Sequence, residues 1–256
     1  MQLKPKEQIA PAEGFQVAAT SLEWSPDSKK LSSLRFDRSI VFYNENCQKW
    51  DQVSTRGYDH TKPSKDYVPT CHSYAINSQM LAVGQSDNVV YIFNVGKALE
   101  KKAIQGRFAL HAPCTSILWM RNGDSPHHCD ILVGCADGTG YVCNLGKKQT
   151  QILFSSQCFG QLLQQKSVTC DGQQSQQGTP IISILRVNNT QAVFVNENGI
   201  SALYDLENPG VLRMVSRHNQ QITTAALLFP RNTPSRQFLI IADSTQKVIV
   251  NSVETG

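Results

Sequence analysis

Two stretches of this 256-residue chain bring together residue types that perform chemistry in proteins. The denser one is His127-His128-Cys129-Asp130, whose side chains are common zinc ligands. Adjacent side chains of an extended segment point to opposite faces, so at most two of these four could bind one metal ion. The same geometry separates Cys71 from His72, which argues against a thiolate nucleophile activated by that histidine. We therefore predict neither a metal site nor a catalytic residue in these stretches.

A third stretch, Gly146-Lys147-Lys148, differs from a phosphate-binding loop. It lacks the upstream glycine and the following serine or threonine of that motif, and it follows a predicted strand instead of preceding a helix. For the chain as a whole we predict no catalytic residue, no metal site and no cofactor.

Composition narrows the class of protein. The eight cysteines contain no Cys-x-x-Cys pair, so we expect free thiols in a reducing compartment. The N-terminal residues have no apolar signal core and no run approaches membrane-spanning length, which predicts a cytoplasmic protein without a transmembrane segment. The basic residues behind the net charge of +4 are scattered rather than interleaved with aromatic residues, which argues against nucleic-acid binding.

The elements that position these residues are predicted from an internal repeat. Residues 131–147 repeat residues 81–97 fifty positions later, and seven of the seventeen aligned residues are identical. A period of about 40 to 50 residues is typical of an array built from one supersecondary unit. The identical residues are Val83/Val133, Gly84/Gly134, Asp87/Asp137, Tyr91/Tyr141, Asn94/Asn144, Gly96/Gly146 and Lys97/Lys147.

Each copy has a small apolar run, a turn and a β-branched or aromatic run, which predicts two strands joined as a hairpin. The turn residue precedes a polar residue at the strand end by seven positions, and this spacing locates five units. In the fifth unit we place the turn at Ser244 and the strand end at Asn251. The other four pairs are Asp37/Asn44, Asp87/Asn94, Asp137/Asn144 and Asn198/Asp205.

These units resemble the WD40 repeat. Tyr43-Asn44, Phe93-Asn94 and Tyr204-Asp205 stand where that family has its Trp-Asp pair. The resemblance implies an all-β propeller of four-stranded antiparallel blades, and we predict a single WD40-like domain over residues 1–256. Because the exposed rim of a propeller is a platform for partners, this fold favours binding over catalysis.

The resemblance also covers two histidines. His111 precedes Asp137 by 26 residues and His218 precedes Ser244 by the same interval, similar to the family's Gly-His position. In the family the turn aspartate and the histidine are hydrogen-bonded and hold the blade together. The resemblance therefore implies a buried scaffold role for Asp137 with His111.

Two parts of the chain depart from the repeat. The fifth unit has three strands, so residues 2–9 could supply the fourth by pairing with residues 247–253 and close a five-blade ring; the alternative is an incomplete part of a seven-blade ring.

Residues 155–180 are rich in glutamine and glycine, and we predict a surface insertion there between blades three and four, with a short strand at 159–163.

A closer resemblance lies in Met1-Gln2-Leu3-Lys4, residues 83–93 and residues 115–119. These resemble the N-terminal propeller of the intraflagellar transport protein 172 family, subunits of transport complex B, and we expect a fragment or a truncated or divergent relative. The resemblance implies a non-catalytic protein-interaction scaffold in cilium or flagellum assembly, with complex B subunits as partners and a location at the cilium and its basal body. The alternative is a generic cytoplasmic adaptor of the vesicle-coat or ubiquitin-ligase type.

Overall fold

A computed structural model describes residues 17–57, 67–96, 104–120, 130–170, 178–230 and 236–253, which form five separate antiparallel sheets, here called blades 1 to 5. Blades 1, 2 and 3 each have four strands in sequential order. Blade 1 contains β1 (Ala19–Trp24), β2 (Lys30–Arg35), β3 (Ser39–Asn44) and β4 (Lys49–Ser54). Blade 2 contains β5 (Pro69–Tyr74), β6 (Met80–Gln85), β7 (Val89–Asn94) and β8 (Ile104–Ala109). Blade 3 contains β9 (Cys114–Trp119), β10 (Asp130–Cys135), β11 (Gly140–Asn144) and β12 (Gln149–Phe154).

Blades 4 and 5 vary this plan. A helix α1 (Ser156–Leu162) and a short strand β13 (Ser167–Thr169) follow blade 3. Blade 4 contains β14 (Ile181–Arg186), β15 (Gln191–Asn196), β16 (Ile200–Asp205) and β17 (Val211–Arg217), and β13 pairs with β17 as a fifth, outer strand. Blade 5 contains β18 (Ile222–Leu228), β19 (Gln237–Asp243) and β20 (Val248–Val253). Because the first strand of each blade contacts the first strand of the next, the predicted all-β propeller is confirmed.

The hairpin between the second and third strands depends on one residue with left-handed backbone geometry. This residue follows each predicted turn position in the first four blades: Arg38 (φ 69°), Asn88 (65°), Gly138 (81°) and Gly199 (96°). In blade 5 the left-handed residue is Gln246 (φ 66°), so the turn is Thr245-Gln246 and the prediction at Ser244 is one residue early. The pairing of Ala242 with Val248 fixes this register.

The core lies between the blades because side chains alternate across each strand. In β6, Leu81 and Val83 pack in a cluster with blade 1, whereas Ala82 packs in a cluster with blade 3. Similar clusters join blades 3 and 4 and blades 4 and 5. Blades 2, 3 and 4 therefore bury both faces against their neighbours, as expected for a repeat that is not stable alone.

Helix α1 replaces the strand predicted at 159–163, and that prediction is wrong. Cys158, Phe159 and Leu162 are buried in the cluster between blades 3 and 4. Their spacing of i, i+1 and i+4 places them on one side of a helix, while the intervening glutamines are exposed. The apolar residues of this glutamine-rich segment thus follow a helical period. The prediction rested on the overall composition of the segment, which does not show this spacing.

Glycine in the second strand lets the next blade approach. A Cβ added at Gly134 would lie 2.5 Å from Oγ of Ser116 and 2.6 Å from Cγ2 of Ile181, the first residue of blade 4. Gly84 is the equivalent residue of blade 2 and pairs with Cys71 in the same register. This close packing explains why the repeat has glycine at both positions.

We expect Gly134→Ala to lower the free energy of unfolding by about 1 to 3 kcal/mol, because the methyl group overpacks the interface between blades 3 and 4. Urea denaturation followed by circular dichroism measures the change. Gly160→Ala is the control, since Gly160 lies in α1 with nothing within 4 Å of an added Cβ. In a helix that change is neutral or stabilising. Equal stabilities for Gly134→Ala and the unsubstituted chain would contradict the packing argument.

The two ends of the blade array differ from its middle. Within the described ranges, no contact as extensive as those between successive blades joins blade 5 to blade 1. The predicted closure through residues 2–9 lies outside the described residues, and it stays a prediction.

Candidate interaction surfaces

The predicted turn aspartates shape the hairpins. Asp37 accepts hydrogen bonds at one carboxylate oxygen from the Ser39 backbone N–H (2.9 Å) and from the Ser39 hydroxyl (2.6 Å). Asp137 accepts the Thr139 backbone N–H at 2.9 Å. The turn aspartate of blade 2, Asp87, lies near Tyr91. Burial raises the pKa of Tyr91, and the Asp87 carboxylate raises it further. For Asp37 and Asp137, these contacts are those of a turn and not of a ligand site.

The polar residues at the strand ends act in the same way. Each side-chain oxygen accepts a backbone N–H from the following turn: Asn44 from Asn46 (3.0 Å) and Gln48 (2.9 Å), Asn94 from Gly96 (3.0 Å), Asn144 from Lys147 (2.7 Å) and Asp205 from Glu207 (2.9 Å). Four blades thus cap the turn that leads to the outer strand with the same side-chain geometry. The seven-residue spacing reflects two turn caps at opposite ends of one strand.

The two histidines that the resemblance assigns to the scaffold lie in different surroundings in the structure. His111 is exposed, and its ring centre lies 6.4 Å from that of Tyr141, so the prediction that it is buried against Asp137 is wrong. His218 lies with Nε2 3.4 Å from Nδ2 of Asn251, connecting the end of blade 4 to blade 5. Asn198 donates to the Thr179 hydroxyl at 2.6 Å.

Blade 4 is capped from another position. Asn196, at the end of β15, accepts the Ile200 backbone N–H at 2.8 Å. In blade 5 the equivalent Asp243 accepts the Thr245 and Lys247 N–H groups at 2.9 and 3.0 Å. In blades 4 and 5 the residue at the end of the second strand therefore stabilises the hairpin. This explains why the turn positions of these two blades do not have the aspartate found in blades 1 to 3.

A buried polar cluster that the sequence did not predict joins blades 1 and 2. Ser32 and His72 lie with Oγ and Nε2 2.7 Å apart, and Glu23 accepts the Tyr74 backbone N–H at 3.3 Å. Burial lowers the pKa of His72 to about 4, so the imidazole is neutral at pH 7. Because Ser32 is 0% exposed and His72 is 6% exposed, this serine and histidine are closed to a substrate. They lie 40 residues apart in the chain, and no local pattern connects them.

Glu23 is the group in this cluster with a titration near neutral pH. Burial raises the pKa of its carboxyl from 4.5 to about 7, and hydrogen bonds from Tyr74 and Ser73 lower it by less. Since the folded state binds this proton more tightly than the unfolded state, the stabilising contribution is present below pH 4.5. It is lost as the pH rises through 7.

We therefore expect the stability difference between the unsubstituted chain and Glu23→Gln to depend on pH. Between pH 5 and pH 8 the unsubstituted chain should lose on the order of 2 kcal/mol relative to the variant. Urea denaturation of both proteins across this range measures the difference, and other titrating groups cancel in it. Stability curves that stay parallel from pH 5 to pH 8 would show that Glu23 is not responsible.

Among the described residues, two clefts open at the rim. A cleft of about 580 Å³ lies between blades 3 and 4, lined by Asn144, Gln151, Tyr204 and Glu207 among others. A second, of about 450 Å³, lies beside α1 and is lined by Phe159, Asn198, Arg217 and His218 among others. Both have mixed polar and apolar walls, and they are concave sites suited to a loop or side chain of a partner.

Exposed apolar side chains concentrate on the two terminal blades. On blade 1, Leu22 (64% exposed) and Trp24 (47%) point away from blade 2, and we call them the blade 1 end face. On blade 5, Leu228 (48%), Val248 (67%) and Val250 (56%) point away from blade 4, and we call them the blade 5 end face. Clustered exposed apolar residues mark interaction surfaces.

In the described ranges, no group of three or more histidine, cysteine, aspartate or glutamate residues is arranged to hold a metal ion. The ligand-like residues His127, His128 and Cys129 lie outside the described residues. No helix in the described part of the chain has the length and apolar character required to cross a membrane.

Comparison with known proteins gives the propeller a family context. The chain is 30% identical over 141 residues to intraflagellar transport protein 172 of Chlamydomonas reinhardtii, and 30% identical over 139 residues to intraflagellar transport protein osm-1 of Caenorhabditis elegans. Each match covers 54% of the chain and 8% of the relative. The chain resembles intraflagellar transport protein 172. The mouse homologue of intraflagellar transport protein 172 is 24% identical over 160 residues, which are 62% of the chain and 9% of the homologue.

These matches confirm the resemblance expected from the sequence. The chain spans less than a tenth of the length of the curated intraflagellar transport relatives that it matches. No protein-family model matches the chain. The matched residues are about half to two thirds of the propeller described above, and they are a small part of each relative.

Proposed function

We propose that this chain is a non-catalytic scaffold of the intraflagellar transport type, which binds other subunits of transport complex B during cilium or flagellum assembly. The observation that carries the proposal is the similarity to intraflagellar transport proteins of an alga, a nematode and a mammal. Those names connect each relative with intraflagellar transport, and a propeller is a fold that presents its rim to partners.

The geometry supports binding over catalysis. Among the described residues, Ser32 and His72 form a close serine and histidine pair, and it is buried between blades 1 and 2. The side chains at the predicted repeat positions Asp37, Asn44 and Asp205 bind backbone groups of their own hairpins and turns. In the described part of the chain, the rim with its two clefts and the two end faces are open to a partner.

The proposal is tested by capturing a tagged copy of the chain from ciliated cells and identifying the bound proteins by mass spectrometry. We expect complex B subunits in the captured material and the tagged copy at the cilium and its basal body. Recovery of vesicle-coat or ubiquitin-ligase subunits instead, with diffuse cytosolic signal, would overturn the proposal in favour of a generic cytoplasmic adaptor.

Two matched double variants examine which end face contacts the partner. Leu22→Ser with Trp24→Ser alters the blade 1 end face, and Val248→Ser with Val250→Ser alters the blade 5 end face. All four side chains are at least 47% exposed, so folding should persist in both variants. Loss of complex B subunits from one variant and not the other identifies the contact surface.

A further inference from the structure

Two free cysteines face each other across the interface between blades 2 and 3. Sγ of Cys71 on β5 lies 3.4 Å from Sγ of Cys114 on β9. The sulfur atoms of a disulfide are about 2.05 Å apart, so the two thiols need to approach by about 1.4 Å. We propose that Cys71 and Cys114 form a reversible disulfide when the protein meets a small disulfide oxidant of the glutathione class.

The surrounding structure holds the two sulfur atoms in contact. The Thr70 hydroxyl donates to the Cys114 carbonyl oxygen at 2.6 Å, which joins β5 to β9 beside the thiols. A Cβ added at Gly84 would lie 2.5 Å from Sγ of Cys114 and 2.9 Å from Sγ of Cys71. Both sulfur atoms therefore rest over the glycine, with no side chain between them.

The next interface shows that the fold does not require thiols here. Between blades 3 and 4 the equivalent positions, packed over Gly134, hold Ser116 and Ile181. The hydroxyl of Thr115 donates to the Ile181 carbonyl oxygen at 2.7 Å, which reproduces the Thr70 contact. The same packing is thus achieved with a serine and an isoleucine, and the thiol pair adds redox chemistry that packing alone does not need.

The exposure of the two residues sets the order of the reaction. Cys71 is partly exposed and Cys114 is fully buried. The Cys71 thiolate attacks one sulfur of glutathione disulfide, which forms a mixed disulfide and releases one glutathione thiolate. The Cys114 thiolate then attacks the Cys71 sulfur of the mixed disulfide and releases the second glutathione. The two protein thiols are oxidised and glutathione disulfide is reduced. The two protons that the protein thiols lose are taken up by the two glutathione thiolates, which gives two glutathione molecules.

The second step uses the buried thiol of Cys114. Burial raises the pKa of the Cys114 thiol well above its usual value, so its thiolate is scarce at neutral pH. Contact between the sulfur atoms offsets this scarcity because the attack is intramolecular. The neighbouring Cys135 and Cys143 are each 0% exposed, which protects them from the same oxidant.

The disulfide would connect the first strands of blades 2 and 3 and enclose a loop between residues 43 positions apart. A crosslink of that length restricts the unfolded chain, and we expect oxidation to raise Tm by about 5 to 10 °C. Reduction with dithiothreitol should return Tm to its starting value.

The experiment treats the folded, purified chain with glutathione disulfide at pH 8 and analyses its peptides by mass spectrometry without reduction. We expect a crosslinked peptide pair containing Cys71 and Cys114, with the mass of two hydrogens lost and the rise in Tm. Glutathione that stays attached to Cys71 with no crosslink would overturn the proposal. So would a crosslink that forms only after the chain has been unfolded.

Variants separate the pair from other thiols. Cys71→Ser should fold, because Ser116 fills the equivalent position in blade 3, and it should lose both the crosslink and the rise in Tm. Cys47→Ser is the control, since Cys47 is a free and partly exposed thiol in a turn of blade 1, and it should keep both. The peptide analysis of the unsubstituted chain tests the proposal by itself, so the test still stands if a variant fails to fold.

Discussion

Phe154→Ala is expected to lower the free energy of unfolding by about 3 to 5 kcal/mol. Phe154 is 0% exposed and lies at the centre of the cluster between blades 3 and 4. Its ring centre is 4.8 Å from that of Phe194, 5.5 Å from that of Phe159 and 6.0 Å from that of Tyr204. Truncation removes the buried ring and the aromatic contacts and leaves a cavity that these neighbours fill only in part.

The measurement is urea denaturation of the unsubstituted chain and the variant at one pH, with the slope against urea compared as well as the midpoint. Phe36→Ala is the control, because Phe36 is 55% exposed and its truncation should change stability by less than about 1 kcal/mol. Similar losses in the two variants would contradict a special role of the aromatic cluster.

This cluster also explains how the irregular segment after blade 3 joins the propeller. Phe159 packs at 75° to Phe154, and its helix covers the edge of the cluster. The Phe154 ring also lies against Gly140, where an added Cβ would meet ring atoms at 2.3 to 2.8 Å. One side chain therefore connects blade 3, helix α1 and blade 4. The predicted surface insertion at residues 155–180 contributes α1 to that core.

The local features of the fold could be predicted from the sequence because they depend on neighbouring residues. Asp37 and Asn44 cap turns within four residues of themselves, so their types and spacing carry the information. The spacing places the fifth unit one residue early because Asp243 caps this turn and the turn position is held by Thr245, where the other units have aspartate or asparagine.

The contacts between blades could not be predicted in this way. Ser32 meets His72 across 40 positions and Cys71 meets Cys114 across 43, and only the stacking of blades brings each pair together. The exposure of Trp24 and Val250 likewise depends on which surface lies next to the terminal blades. The repeat spacing predicts where each blade lies in the sequence. It does not predict which side chains of one blade contact which side chains of the next.

Trp119→Ala is the substitution expected to affect the contact between blades 2 and 3 most strongly, with a loss of about 3 to 5 kcal/mol. Trp119 is 1% exposed at the end of β9, and its indole N–H donates to the Ser73 carbonyl oxygen at 2.7 Å. Its own carbonyl oxygen accepts a hydrogen bond from Arg186 of blade 4. The residue therefore joins three successive blades through one ring and one backbone group.

A second variant divides the effect between packing and hydrogen bonding. Trp119→Phe keeps much of the ring but removes the indole donor, and we expect a smaller loss of about 1 to 3 kcal/mol. Circular dichroism follows unfolding in urea, because tryptophan fluorescence changes with the substitution itself. Trp24→Ala is the matched control, since Trp24 ends β1 as Trp119 ends β9 but is 47% exposed.

The control should lose less than about 1 kcal/mol. If Trp24→Ala were as destabilising as Trp119→Ala, the blade 1 end face would be a covered and structural surface, and it would not be available to a partner. A small loss at Trp24 with a large loss at Trp119 would show that the same residue at equivalent strand ends serves the core in blade 3 and remains accessible in blade 1.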